Sequence, residues 1–321
     1  MYRPTFRSRL WRVWAIAVAA LAMLIPATAS AAPGTPRGMV VYLQDGGHPT
    51  LSVAVQPGED AIAVDLSNGT CSYDATVEPS EIEPYLRNPL WHVLLRTEGG
   101  PCGYDYQHVR SLIEGAQPGG GKTWAQLMQQ YPNVEWILQI GNEPTIDWSG
   151  VDAWTHRWWM HAVYDELATN SYGHIDQAWR TKYPMLKWAV AVGVTYDAAQ
   201  IHLQWDTDFG GVRDKYDYIA CHVYADTDMR SPKEPYASVY NFLLGDQFTK
   251  GVVVSEFGIN GDPNPPSDAE VRNYRGWVNN LPSKVKLATA FVAMTPADQW
   301  VTYALDSAQD GQTLGDHWGG Y

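Results

Sequence analysis

Basic side chains are scarce in this chain. Lys and Arg number 22 against 35 Asp and Glu, and the formal net charge is −13 over 321 residues. An acidic surface argues against nucleic acid or anionic lipid as a partner and suits a neutral or cationic substrate. Cysteine is scarcer still, with Cys71, Cys102 and Cys221 only. Three cysteines allow one disulfide and leave one over. Cys221 lies in the apolar run Tyr218-Ile219-Ala220-Cys221 and reads as a buried free thiol.

Long apolar runs are missing too. The best, Val13 to Pro26, spans about 14 residues, and a membrane helix needs ~20. It follows Arg3, Arg7, Arg9 and Arg12 and precedes Ala29-Ser30-Ala31. That order is a secretory signal over residues 1–31, with a retained anchor as the alternative. Secretion is therefore expected, with no membrane attachment after cleavage. No repeat or low-complexity segment stands out.

Several chemistry-bearing motifs are absent. No His-Glu-x-x-His occurs, and His156 and His161 are off a common helical face. Asp206-Thr207-Asp208 lacks the ligand ladder of a calcium loop. No Gly-x-Ser-x-Gly elbow exists for a serine triad. Ala116-Gln117-Pro118-Gly119-Gly120-Gly121-Lys122-Thr123 only loosely imitates a phosphate loop. A helix-like run, His108 to Glu114, precedes it where a strand is required. Thr123 reads better as a helix N-cap. Neither metal nor organic cofactor is expected.

What is plentiful is buried strand and aromatic surface. There are 15 Trp and 19 Tyr, rings that can stack on sugar faces or fill a core. Strand-like runs recur at Met39–Leu43, Asp60–Leu66, Trp91–Arg96, Val134–Ile140, Leu186–Val192, Tyr218–Tyr224, Gly251–Glu256 and Lys286–Ala293. Helix-like stretches at Thr123–Tyr131, Asp152–Ala168, Ile175–Tyr183 and Asp268–Asn280 alternate with them. Eight such units predict a single-domain (β/α)8 TIM barrel over residues 38–321, after a Pro/Gly linker at 32–37. The early βα unit, lacking a good helix pattern between the first two strands, is degenerate. An open doubly wound sheet is the alternative. It calls for a Gly-rich phosphate turn, for which Gly46-Gly47 is a poor substitute.

Two strand ends carry carboxylates. Gly141-Asn142-Glu143-Pro144 follows the fourth run, and Glu256 ends the seventh. Counting by two puts Val252, Val254 and Glu256 on one interior face, with Phe257-Gly258 breaking the strand. Such a pair facing each other across a barrel mouth is what glycoside cleavage requires.

Trp136-Ile137-Leu138-Gln139-Ile140-Gly141-Asn142-Glu143-Pro144 and Val252-Val253-Val254-Ser255-Glu256-Phe257-Gly258 resemble the strand-four and strand-seven motifs of the clan A glycoside hydrolases, retaining enzymes on a (β/α)8 barrel. The resemblance implies that Glu143 is the acid/base and Glu256 the nucleophile. It implies that Asn142 binds the sugar 2-hydroxyl and that His222 and Tyr224 line the sugar subsite. Arg96, Trp148 and Trp300 are further substrate-binding candidates. No single family within the clan matches closely, so the sugar is not inherited. Glu143, in a partly apolar niche near a second carboxylate, is expected to have a raised pKa. Cys71 and Cys102 follow the second and third strands and could bridge their loops. The reading is a secreted, monomeric, retaining glycoside hydrolase acting on a poly- or oligosaccharide. A catalytically silent barrel that binds cell-wall glycans is the competing class, and a structural protein whose rim acids serve stability is a third.

Overall fold

The computed structural model describes residues 35–41, 60–67, 77–88, 90–97, 101–117, 120–143, 153–192, 211–245, 248–259, 270, 273 and 276–291. Eight strands run in chain order: β1 (Arg37–Val41), β2 (Ala61–Asp65), β3 (His92–Arg96), β4 (Glu135–Ile140), β5 (Leu186–Ala191), β6 (Tyr218–Ala225), β7 (Gly251–Ile259) and β8 (Val285–Ala290). Each pairs in parallel with the next, and β8 pairs with β1, so the sheet is a closed barrel. The eight expected strands are all present, and the open sheet is excluded. β1 begins at Arg37, inside the expected linker.

Parallel strands buried on both faces read as continuous apolar runs, and these do. Alternation sorts their side chains. Ala61, Ala63, Ala189 and Ala220 point inward against Leu94, Ile137, Val253 and Leu287. Small residues beside large ones fill the narrow bore of an eight-stranded barrel. Outward go the bulkier Ile62, Val64, Trp136, Leu138 and Trp188, which pack under the helices.

The helices with described bounds are α1 (Pro79–Ile82), α2 (Tyr106–Glu114), α3 (Trp124–Gln130), α4 (Ala153–Val163), α5 (Trp179–Lys182), α6 (Val212–Lys215) and α7 (Tyr236–Leu244), and residues 270, 273 and 276–278 of the expected Asp268–Asn280 helix are helical too. Asp105 caps α2 by accepting from the Gln107 N–H at 2.8 Å. Thr123 caps α3 in a capping box with Gln126, as its sequence position suggests. The expected helix Asp152–Ala168 is α4 followed by a π turn over Tyr164–Ala168. Of Ile175–Tyr183 only Trp179–Lys182 is helical. The Asn170 side chain brackets both backbone groups of Ile175 and holds that segment in a turn. The helix α7 was not foreseen; its aromatic and β-branched content is equally strand-like.

Register fixes the level of the rim residues. Asp65, Arg96 and Gln139 lie in one row across β2, β3 and β4, and His222 pairs with Glu256 across β6 and β7. At the opposite end of the barrel, Glu135 accepts from Tyr218 Oη at 2.7 Å and meets His92 Nδ1 at 2.9 Å.

Candidate active site

β7 carries Glu256 into the barrel by an irregularity. Val252 and Val254 belong to the outer cluster under the helices, whereas Val253 faces the bore. Plain alternation from there would turn Glu256 outward. Instead Cys221 pairs with Val254 and the next residue, His222, pairs with Glu256, so Ser255 is an inserted residue. The β8 side shows the same extra residue between Val254 and Phe257. A β-bulge therefore reverses the phase and aims Glu256 inward. Thr289 Oγ1 donates to the Ser255 carbonyl at 2.6 Å and pins it. The expectation that Val252, Val254 and Glu256 share an interior face is thus corrected. The strand also continues through Phe257-Gly258 to Ile259.

Glu256 is 6% exposed and surrounded by donors. Arg96 Nη1 donates to its Oε1, and Tyr224 Oη donates to its Oε2 at 2.5 Å. Arg96 is itself held by Asp65, which accepts from Nε at one oxygen and from Nη2 at the other, the second at 2.8 Å. Burial pulls the Arg96 pKa down. The charges of Asp65 and Glu256 more than offset it, so the guanidinium stays protonated. Burial together with the Glu256 and Glu143 charges pushes the Tyr224 phenol well up, so it remains a neutral donor. Tyr224 is braced edge-on by Tyr236 and Phe291, at 5.1 and 6.3 Å between ring centroids.

Glu143 enters from the turn after β4. His222 Nδ1 lies 2.7 Å from its Oε1 and 3.3 Å from Glu256 Oε2. One imidazole nitrogen thus stands between the two carboxylates, and those two oxygens are no more than about 6 Å apart. Burial pushes Glu143 up, but the His222 charge and hydrogen bond, with Arg96 behind them, leave it below its ordinary value. Burial likewise pulls His222 down, and the Glu256 and Glu143 charges overcome it to raise the pKa. The expected rise for Glu143 is therefore reversed. The sequence offered a second carboxylate as neighbour, and the nearest charge is a buried histidine.

Asn142 is half-buried, with Oδ1 buried and unpartnered, free to accept from a bound hydroxyl. His222 Nε2 is likewise buried and unpartnered. The structure thus brings together Glu143, Glu256, His222, Tyr224 and Arg96. Trp148, Trp300 and Cys71 lie outside the described residues. Cys102 sits in the 3-10 turn Pro101–Tyr104 beyond β3, and Cys221 is a buried free thiol whose pKa burial raises to about 12. Asp65 was missed. Its signal is the one that revealed Glu256, a carboxylate at the inward end of a buried strand.

No family model matches this chain, and no curated protein matches it in sequence. Solved structures do match. An endo-β-1,3-glucanase of family GH128, subgroup II, from Sorangium cellulosum is 17% identical, covering 87% of this chain and 96% of its own at a TM-score of 0.52. A GH128 subgroup IV endo-β-1,3-glucanase from Lentinula edodes is 18% identical, covering 87% and 97% at a TM-score of 0.50. At this level of identity the shared property is the barrel fold.

Proposed function

We propose that this chain is a retaining glycoside hydrolase, with Glu256 as nucleophile and Glu143 as acid/base. The observation that carries the reading is the pair of carboxylates, Glu256 buried and Glu143 partly buried, held on one imidazole nitrogen at the barrel mouth. Their closeness fits the retaining arrangement, with carboxyl groups about 5–5.5 Å apart, better than the inverting one at about 6.5–9.5 Å. Arg96 and Tyr224 orient Glu256 by donating to its two oxygens. Glu256 attacks the anomeric carbon as the proton that the His222 cation holds against Glu143 passes through Glu143 to the departing oxygen. The bond to the leaving sugar breaks and an ester to Glu256 forms. Glu143, now a carboxylate, takes a proton from water. The hydroxide attacks the anomeric carbon and releases Glu256.

The 2.7 Å contact with His222 gives Glu143 a partner for its proton in both halves of the cycle. With Glu256 esterified, one of the two anions holding His222 as a cation is neutralised. Asn142 Oδ1 accepts from the sugar. Since two barrels of the same fold are endo-β-1,3-glucanases, β-1,3-glucan is the first substrate to test.

The basic and apolar run before residue 31 supports export by a cleaved signal. Cys71 and Cys102 form the disulfide of this reading, since Cys221 is free and buried in β6.

Release of reducing sugar from β-1,3-glucan, alongside plant and bacterial cell-wall polysaccharides, tests the activity. Glu256→Gln should abolish turnover while leaving sugar binding measurable. A 2-fluoro-sugar should label Glu256, as found by peptide mass mapping. Wild-type turnover in Glu256→Gln overturns the assignment. Glycan binding without turnover by the unaltered protein gives the silent binder instead.

A further inference from the structure

We propose that Thr97 and Gln139 are positioning residues for the proton donor, a role that rests on reading Glu143 as the acid/base. The turn that delivers Glu143 begins at Gly141, where φ is +77°. A Cβ there would meet Tyr104 Oη at 2.1 Å, so glycine is required both by conformation and by space. Gly141 has left the β4 ladder, and its buried peptide groups need partners from elsewhere. Two side chains supply them. The Gly141 N–H donates to Thr97 Oγ1 at 2.8 Å, and the Gly141 carbonyl accepts from Gln139 Nε2 at 2.9 Å. Both side chains are buried, Thr97 at 1% exposure and Gln139 at 0%.

The Thr97 hydroxyl has one possible orientation. A backbone N–H can only donate and a carbonyl can only accept. Since Oγ1 takes the Gly141 N–H, its own proton goes to the Gly103 carbonyl at 3.2 Å. One hydroxyl therefore ties the turn after β4 to the segment after β3. That segment also supplies the Tyr104 wall, and Tyr104 stacks on Trp159 of α4 at 6.0 Å. The Thr97 N–H donates to the Gln139 carbonyl at 3.0 Å, so the two positioning residues are themselves coupled.

Only Asn142 lies between Gly141 and Glu143, and a rotation of the Gly141 peptide swings the carboxyl. Proton donation tolerates little of that, since a shift of about 1 Å can cost on the order of 100-fold in rate. Neither side chain hydrogen-bonds Glu143 or Glu256: the Thr97 hydroxyl is taken by Gly141 and Gly103, Gln139 Nε2 by Gly141, and Gln139 Oε1 has no partner. Their effect should fall on the two steps that use Glu143, donation to the leaving oxygen and activation of the water, and kcat/KM sees only the first.

That selectivity is the test. Measure kcat/KM, which reports the first half-reaction, on a laminari-oligosaccharide and on its 2,4-dinitrophenyl glycoside, whose leaving group needs no proton. Thr97→Val should lose about 10- to 100-fold on the first and less than about 3-fold on the second. Thr97→Ser, which keeps both hydrogen bonds, should match the unaltered protein on both. Gln139→Met should show the same split as Thr97→Val and serves if that variant does not fold. Glu143→Ala is the control. If it shows no leaving-group dependence, the acid/base reading fails. If it does and Thr97→Val or Gln139→Met loses both substrates equally, or neither, the positioning role is overturned.

Discussion

Arg96 has little left over for a sugar. Three of its nitrogen positions are engaged, two by Asp65 and one by Glu256, and the residue is 3% exposed. Its work is on the nucleophile, and Asp65 works through it. Breaking such a buried fork leaves a guanidinium partly uncompensated, which costs both placement and stability. Asp65→Asn should lower kcat about 10- to 100-fold with KM changed far less. The decisive comparison is the double variant. If Asp65 acts through Arg96, then in an Arg96→Gln background Asp65→Asn adds little further loss. Losses that simply multiply, in protein shown to be folded by circular dichroism, sink that coupling.

At the scale of elements, the two ends of the barrel do different things. The rim at the strand C-termini holds the charged cluster. The other end is closed by Glu135 of β4 with His92 of β3 and Tyr218 of β6. The His92 hydrogen bond lowers the Glu135 pKa, against burial and with help from Tyr218. A group with a depressed folded pKa stabilises above about 4.5 and ceases to do so as pH falls through its folded value. Glu135→Ala should cost about 1–3 kcal/mol at neutral pH and leave kcat unchanged. The gap to the unaltered protein should narrow below pH of about 4.5. Thermal unfolding at several pH values checks this, and a large fall in kcat would refute the division between the ends. The strands themselves were legible because they are buried on both faces and rich in β-branched residues. Glu143 and Glu256 were legible because a carboxylate ending such a strand is costly without a purpose. The route by which Glu256 faces inward was not, since it depends on Ser255 being looped out, and an inserted residue leaves no mark in a two-residue period. Asp65 carried the same strand-end signal as Glu256 and was overlooked; what it does there, and Thr97 altogether, were illegible for a related reason. Their partners lie on neighbouring strands, and only the register sets Asp65 against Arg96 and Thr97 beside Gly141.

For the molecule as a whole, gathering five ionisable groups around one mouth, four of them buried and Glu143 partly so, ties folding to pH. Asp65, Glu143 and Glu256 are the anions, Arg96 and His222 the cations, and His222 is the group that changes charge near neutrality. Its folded pKa is raised, because the attraction of Glu256 and Glu143 overcomes burial and the opposing charge of Arg96. Its stabilisation is then fully present below the unfolded value of about 6.5 and is lost as pH rises through the folded value. Glu143 runs the other way. With a lowered folded pKa it stabilises above about 4.5 and loses that contribution as pH falls through its folded value. The two windows overlap between about pH 5 and 6.5, and the chain's formal charge of −13 adds self-repulsion on the alkaline side. Tm should therefore peak on the acid side of neutrality and decline toward pH of about 9. The surface repulsion is common to all variants, but the His222 part is not. His222→Gln removes the titrating cation while keeping a side chain that can donate to Glu143, so its Tm should be lower near pH of about 6 and converge on that of the unaltered protein as pH rises. Scanning calorimetry of both across this range decides it: curves that stay parallel would mean that the imidazole does not titrate between the two carboxylates, and that the proton in the mouth resides elsewhere.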